Sequence, residues 1–274
     1  MSKFSDRLAL HMWTLDTTPL AAALDAARQG GFNAVELRHT DFARCIEAGM
    51  RNDQIIDLIR SSGIRVAVMG TEYGLIFADG DELKRLLAVL DQTCRNALAL
   101  GCDMIMIAPG QNTGGVREAA ANLRRAGEIA ASHGLRFALE FNSQHDVINK
   151  LEVAREILAL AAHPACGLLI DAYHLERSGR GGRGFEDLPA ADIFTFQYSD
   201  VPHGPPPGQK RPTDRLLPGK GRVQWQEVFQ LLYEKGYPGH LSFEAPNPAQ
   251  WERPPIEVAR EAAQLTRELM SQVQ

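Results

Sequence analysis

Four polar residues each close a short apolar run in the second half of the chain: Ala138-Leu139-Glu140, Leu169-Ile170-Asp171, Thr195-Phe196-Gln197 and Ser242-Phe243-Glu244. Successive side chains of an extended strand point to opposite faces. If Leu139, Ile170, Phe196 and Phe243 pack outward, then Glu140, Asp171, Gln197 and Glu244 share the inner face. One polar residue at a strand end is ordinary, but four in register need a reason. Three carboxylates brought together repel one another, which raises their pKa values or recruits a cation. Carboxylate and amide oxygens suit a hard divalent ion. The set therefore predicts one bound Mn2+ or Mg2+, with Zn2+ or Co2+ also compatible.

Other residues lie within reach of such a centre. His174 follows Asp171 by three residues and is a candidate for the metal or a substrate oxygen, the alternative being a surface-loop histidine. Arg215 and Lys220 fall in a long loop after the seventh run, where a cation either holds a substrate oxygen or is simply solvated. Glu36 and Arg38 close the second run and read either as mouth-facing binding groups or as a structural ion pair. His11 closes the first run, as pocket wall or as core. The remaining histidines show no metal-binding spacing. Pro218-Gly219-Lys220-Gly221 lacks the G-K-[ST] ending of a phosphate loop and reads as a turn.

These residues need a frame that brings strand ends together. Eight candidate strands, at 8–12, 34–38, 65–69, 104–108, 136–141, 167–171, 193–198 and 240–244, alternate with helical patterns. Short apolar runs separated by helices indicate parallel βαβ units. Thr17-Thr18-Pro19 opens the first helix and Gly30-Gly31 closes it. Leu83, Leu86, Leu87 and Leu90 form one helical stripe in the third unit. Further helices are expected at 52–62, 117–133, 149–162, 225–235 and 255–272. Around the Gly- and Arg-rich stretch 177–184, only a short helix fits. No G-x-G-x-x-G follows the first strand, and eight repeats are what closure requires. The expectation is a (β/α)8 TIM barrel in one domain spanning 1–274, with its site at the C-terminal ends of the strands. The Pro- and Gly-dense loop 200–221 would then sit over the mouth as a candidate lid.

Bulk properties restrict the function classes. The 274 residues carry a formal net charge of −5 with dispersed Lys and Arg, so no basic stripe suggests nucleic acid or a membrane surface. No apolar run approaches the roughly 18 residues of a membrane span. Cys45, Cys94, Cys102 and Cys166 form no C-x-x-C pair and read as small apolar residues in a reducing, cytoplasmic setting. A homo-oligomer is compatible with the sequence, which carries no interface signature.

The stretches Val35-Glu36-Leu37-Arg38, Ala138-Leu139-Glu140-Phe141, Gly167 to His174, Asp214 to Gly221 and Gly236-Tyr237, together with Glu244, carry a resemblance. The chain resembles the xylose-isomerase-like barrel family of sugar isomerases, epimerases and dehydratases, looking most similar to its inosose isomerases. The resemblance implies a metal set of Glu140, Asp171, Gln197 and Glu244, with glutamine where the family usually has histidine. That glutamine, and the segment Gln197 to Pro202, are similar to hydroxypyruvate isomerase and to bacterial 3-dehydroshikimate dehydratase.

The expected activity is isomerisation or epimerisation of a small sugar, inosose or hydroxyketone through an enediolate. Glu140 and Glu244 would move the proton, while His174 and Arg215 hold substrate oxygens, with Glu36 and Arg38 as further binding candidates. Three alternatives accompany it. A dehydratase would use the same site, with Arg215 on a carboxylate. A non-catalytic sugar-binding barrel would hold no metal. A relative of the barrel endonucleases that cut DNA at abasic sites is disfavoured by the acidic charge and the histidine spacing.

Overall fold

The apolar runs become eight parallel strands because each is buried on both faces, between the barrel interior and a surrounding layer of helices. The computed structural model describes residues 4–205, 208 and 211–273. The strands are β1 (Leu8–His11), β2 (Ala34–Leu37), β3 (Arg65–Gly70), β4 (Met104–Ile107), β5 (Arg136–Glu140), β6 (Cys166–Asp171), β7 (Ile193–Tyr198) and β8 (Leu241–Phe243). They pair in sequence order, and β8 returns to β1 with Ala9 beside Ser242, so the sheet is a closed barrel.

The helices are α1 (Leu20–Gly30), α2 (His39–Glu47), α3 (Asn52–Ser61), α4 (Gly80–Ala99), α5 (Val116–Ser132), α6 (Leu151–Ala161), α7 (Ala172–Arg177), α8 (Trp225–Glu234), α9 (Pro248–Trp251) and α10 (Pro255–Met270). In α4, Leu86 and Leu90 are buried, while Leu83 and Leu87 flank them partly buried. At the end of α1, Gly31 has a left-handed φ of 96° and its N–H closes onto the carbonyls of Ala27 and Arg28. Gly30 allows α10 to approach closely: a Cβ there would lie 2.5 Å from Ala259 Cβ.

Three local expectations change. Pro19 itself occupies the cap position of α1, and no side chain caps that helix. Helices α2 and α9 were not anticipated. The short helix of the sixth unit is α7, which starts directly at the end of β6 rather than after a loop.

The loop at 200–221 is tied at both ends. Asp200 and Leu216 exchange backbone hydrogen bonds of 2.9 Å each way. The buried Asp200 carboxylate accepts from Gly219 N (2.8 Å), Val223 N (3.0 Å), Val201 N (2.9 Å) and the Trp225 indole (2.9 Å). Gly221 is required there, since any side chain would collide with the Val201 carbonyl and Asp200.

Among the described residues, no helix is long and apolar enough to cross a membrane. All four cysteines are free. Burial pushes the thiols of Cys94, Cys102 and Cys166 up to about 12, so none is a thiolate at neutral pH. Ellman's reagent is therefore expected to titrate at most Cys45 rapidly in the native protein and all four thiols after denaturation. Fast reaction of three or more native thiols would contradict this packing.

Candidate active site

The four strand-end residues converge at the C-terminal mouth. The ladders place Asp171 beside Gln197 and Gln197 beside Ser242, so Glu244, two residues beyond Ser242, projects one level higher. The outward packing of their neighbours holds them there: Phe196 meets Phe185 and Tyr237, and Phe243 stacks on Phe32. Asp171 also caps α7, its Oδ1 accepting from Tyr173 N at 2.9 Å. Because α7 begins there, His174 stands one helical turn from Asp171 on the same face and is buried, not on a surface loop. Thr14, just beyond the neighbouring strand β1, fixes Glu244: its hydroxyl donates to the Phe243 carbonyl (3.1 Å) and accepts from Ala245 N (2.9 Å).

Arg215 reaches into this cluster from the long loop and is only 2% exposed. Its Nη1 lies 2.6 Å from Asp171 Oδ2 and 2.8 Å from Glu244 Oε2, and its Nη2 lies 3.2 Å from His174 Nε2. The guanidinium rests on the Tyr173 ring, 4.4 Å from its centroid. Tyr173 is braced in turn by Asp214 (2.6 Å), which also pairs with Arg177 at 2.6 Å.

The two central histidines are neutral. Burial depresses the His174 pKa to about 3, with Arg215 adding to the effect and Asp171 opposing it. Its Nδ1 accepts from Ser143 N at 3.2 Å and lies 2.9 Å from Ser143 Oγ, while Nε2 faces Arg215 Nη2 at 3.2 Å. His11 is also held well below its ordinary value by burial, reinforced by nearby arginines. Its Nδ1 accepts from Trp13 N (3.1 Å), which places the ring proton on Nε2, facing Glu244 Oε1 at 3.3 Å.

Carboxyl groups outnumber cations here, and burial raises the pKa values of the three glutamates. Glu140 is pushed well up by burial, with Glu244 and Asp171 adding to it. Glu244 is raised by burial against the pull of Arg215. Glu36 is raised to about 8 by burial, with Glu244 and Asp171 adding and Gln197 opposing.

Sequence candidates separate on this geometry. Glu140, Glu244, His174 and Arg215 open into one cavity of about 250 Å³. Glu36 does not: it is fully buried below the mouth and accepts from Gln197 Nε2 at 2.8 Å. Arg38 is committed to Asp16 (2.6 Å) and Asp41 (2.5 Å), closing the start of α2, which is the structural ion-pair reading of that residue. Of the loop aromatics, Trp13 and Tyr73 line the cavity, Phe77 stacks on His145, and Trp251 donates to the Trp13 carbonyl. A wider groove of about 520 Å³ between α1 and α3 lies on the helical side and gathers no convergent polar set.

The donor set fits a divalent ion. Glu140, Asp171 and His174 each offer a ligand atom, all within 4.8 Å of one another. Among the described residues, Glu140 Oε1 and Gln197 Oε1 are buried acceptors without a hydrogen-bond donor. Buried acceptors without donors, one of them on a carboxyl of raised pKa, are what a cation would relieve.

A model of the family described as xylose isomerase-like TIM barrel matches residues 24–269. The inosose isomerase of Halalkalibacterium halodurans is 23% identical to the chain, over 94% of each protein. A 3-dehydroshikimate dehydratase of Pseudomonas putida is 24% identical over 82% of this chain, which spans only 36% of that enzyme. A crystal structure described as IolI protein with a binding zinc atom superposes with a TM-score of 0.86 at 20% identity, covering 98% of this chain and 99% of that one, a likeness that shows the fold.

Proposed function

We propose that this chain, which belongs to the xylose isomerase-like TIM barrel family, moves a proton at the carbon beside a carbonyl in a small hydroxyketone, as a divalent-metal-supported isomerase or epimerase. The observation that carries this reading is the pair Glu140 and Glu244, two buried carboxyls with raised pKa values opening into one small cavity. A general base works best when its pKa lies near the working pH, and burial moves both groups that way. One carboxylate takes the carbon-bound proton, and the enediolate regains a proton from the other, or from the same group. His174, neutral and held by Ser143, presents Nε2 to substrate oxygen or to the ion. Arg215 holds Asp171 and Glu244 in place at the cavity wall. Glu140, Asp171, Gln197 and Glu244, with His174 adjacent, would hold the ion, which when bound supplies a positive centre that polarises the carbonyl and favours enolisation. The small cavity volume matches a compact metabolite.

Elimination of a β-hydroxyl from the same enolate is the second reading, supported by the similarity to the P. putida dehydratase. Ultraviolet absorbance of an aromatic product from 3-dehydroshikimate separates it from isomerisation.

The test is metal content by mass spectrometry after exposure to Mn2+, Mg2+ or Zn2+, on the wild type and on Asp171→Asn. The asparagine keeps an acceptor for the cap bond to Tyr173 but removes the charge. One ion per chain in the wild type, with affinity at least tenfold lower in the variant, is expected. A wild type that retains no stoichiometric ion under any of the three would sink the metal-supported reading.

A further inference from the structure

We propose that Arg211 binds a carboxylate carried by the substrate, so that the cavity takes a hydroxyketo acid in preference to a neutral sugar; this rests on the reading of the cavity as the substrate site. Arg211 lines the cavity with its guanidinium over Trp13 (4.5 Å to the ring centroid) and near Tyr73 (5.8 Å). Contact with ring faces occupies the plane of a guanidinium and leaves its N–H edge for the paired oxygens of a carboxylate. Among the described residues, the neighbouring arginines are already committed: Arg38 to Asp16 and Asp41, Arg177 to Asp214, and Arg215 to Asp171 and Glu244. Among the described residues, Arg211 is paired with no carboxylate. Arg215, the obvious anion binder from sequence, has its charge met by protein carboxylates.

The backbone also favours a fixed position. Pro212 follows and is buried, and a residue before proline is restricted to extended conformations. The place of Arg211 in the cavity lining beside Trp13, Tyr73 and Glu244 sets the guanidinium facing the cavity rather than away from it. A phosphoryl group is a poorer fit, because it calls for several converging donors. A carboxylate held by Arg211 at the rim would leave the adjacent carbonyl and hydroxyl carbons to extend toward Glu140 and Glu244.

The experiment compares binding of hydroxypyruvate, dihydroxyacetone and dihydroxyacetone phosphate by calorimetry and by tryptophan fluorescence, which Trp13 beneath the guanidinium should report. Hydroxypyruvate and dihydroxyacetone share a skeleton and differ in carboxylate against hydroxymethyl. The wild type is expected to bind hydroxypyruvate at least tenfold more tightly than dihydroxyacetone. Arg211→Gln should lose that preference while keeping its affinity for dihydroxyacetone, and Arg211→Lys should keep part of it. No hydroxypyruvate binding by the wild type, an unchanged ratio in Arg211→Gln, or an Arg211-dependent preference for the phosphate would each overturn the proposal. Because no turnover is read, carboxylate discrimination that persists in a protein without proton-exchange activity would support Arg211 recognition and count against the catalytic reading alone.

Discussion

Glu140→Gln is expected to slow exchange of the substrate's carbon-bound proton with solvent by about two to four orders of magnitude, the usual contribution of a positioned acid or base. The measurement is deuterium incorporation followed by NMR, with the hydroxyketone that the wild type exchanges fastest. Glutamine keeps the size and one acceptor oxygen but cannot take a proton, so the cavity should survive the change. Stability gives an independent control with a definite sign. Burial raises the Glu140 pKa. Such a carboxyl contributes its full stability at low pH and loses it as pH climbs from the ordinary carboxyl range through its folded value. The amide has no such loss, so in protein stripped of metal with EDTA the variant should melt at or above the wild-type temperature at neutral pH. Exchange within threefold of wild type would remove Glu140 from the chemistry. Glu244→Gln should be comparably slow but less stable, because it weakens contacts to Arg215 and His11 at once.

Asp200→Ala is expected to lower the melting temperature by about 10 °C. Its carboxylate is fully buried and accepts from three donors more than eighteen residues away in sequence: Gly219 N, Val223 N and the Trp225 indole. Stranding a buried donor costs about 1–3 kcal/mol, and donors that share one acceptor group do not add fully, so roughly 3–5 kcal/mol is the expected loss. A domain of this size shifts by about 2–4 °C per kcal/mol. Activity should fall further than stability alone requires, because Arg215 directly precedes Leu216, which pairs with the Asp200 backbone. Thermal melts by circular dichroism test this directly, and a shift under 3 °C would mean the loop is held elsewhere. Asp200→Asn should be milder, since it keeps one acceptor.

The barrel and the strand-end residues were legible in the sequence for a local reason. A two-residue alternation that ends in a polar residue, repeated in four successive runs, is readable without knowing what lies opposite. His174 was legible through its distance from Asp171, although its short helix was expected after a loop and not directly at the end of β6. What escaped were partnerships between distant residues. Thr14 clamps Glu244 from 229 to 231 positions away, and Ser143 orients His174 from 31 positions away. The brace of Tyr173, Asp214 and Arg177 and the hub at Asp200 likewise leave no periodic mark. Glu36 illustrates the opposite difficulty. Its position at the end of a strand suggested the mouth, but full burial beside Gln197 places it beneath. For Arg38 the ion-pair alternative had a local signal, because Asp41 three residues on, at the start of a helix, is a capping partner.

The closure of β8 onto β1 bears on how activity comes into being. Glu140, Asp171 and Gln197 belong to the second half of the ring, while His11 and Thr14 belong to its first turn, and Glu244 stands on the seam between them. Joining segments so far apart carries the largest chain-closure cost in the molecule, and contacts of that span form late. A partly assembled barrel would already hold most of its helices and three of the four strand-end residues, yet Glu244 would lack the clamp that aims it. The arrangement of the site thus depends on closure of the ring, and opening at that seam would release Glu244 first.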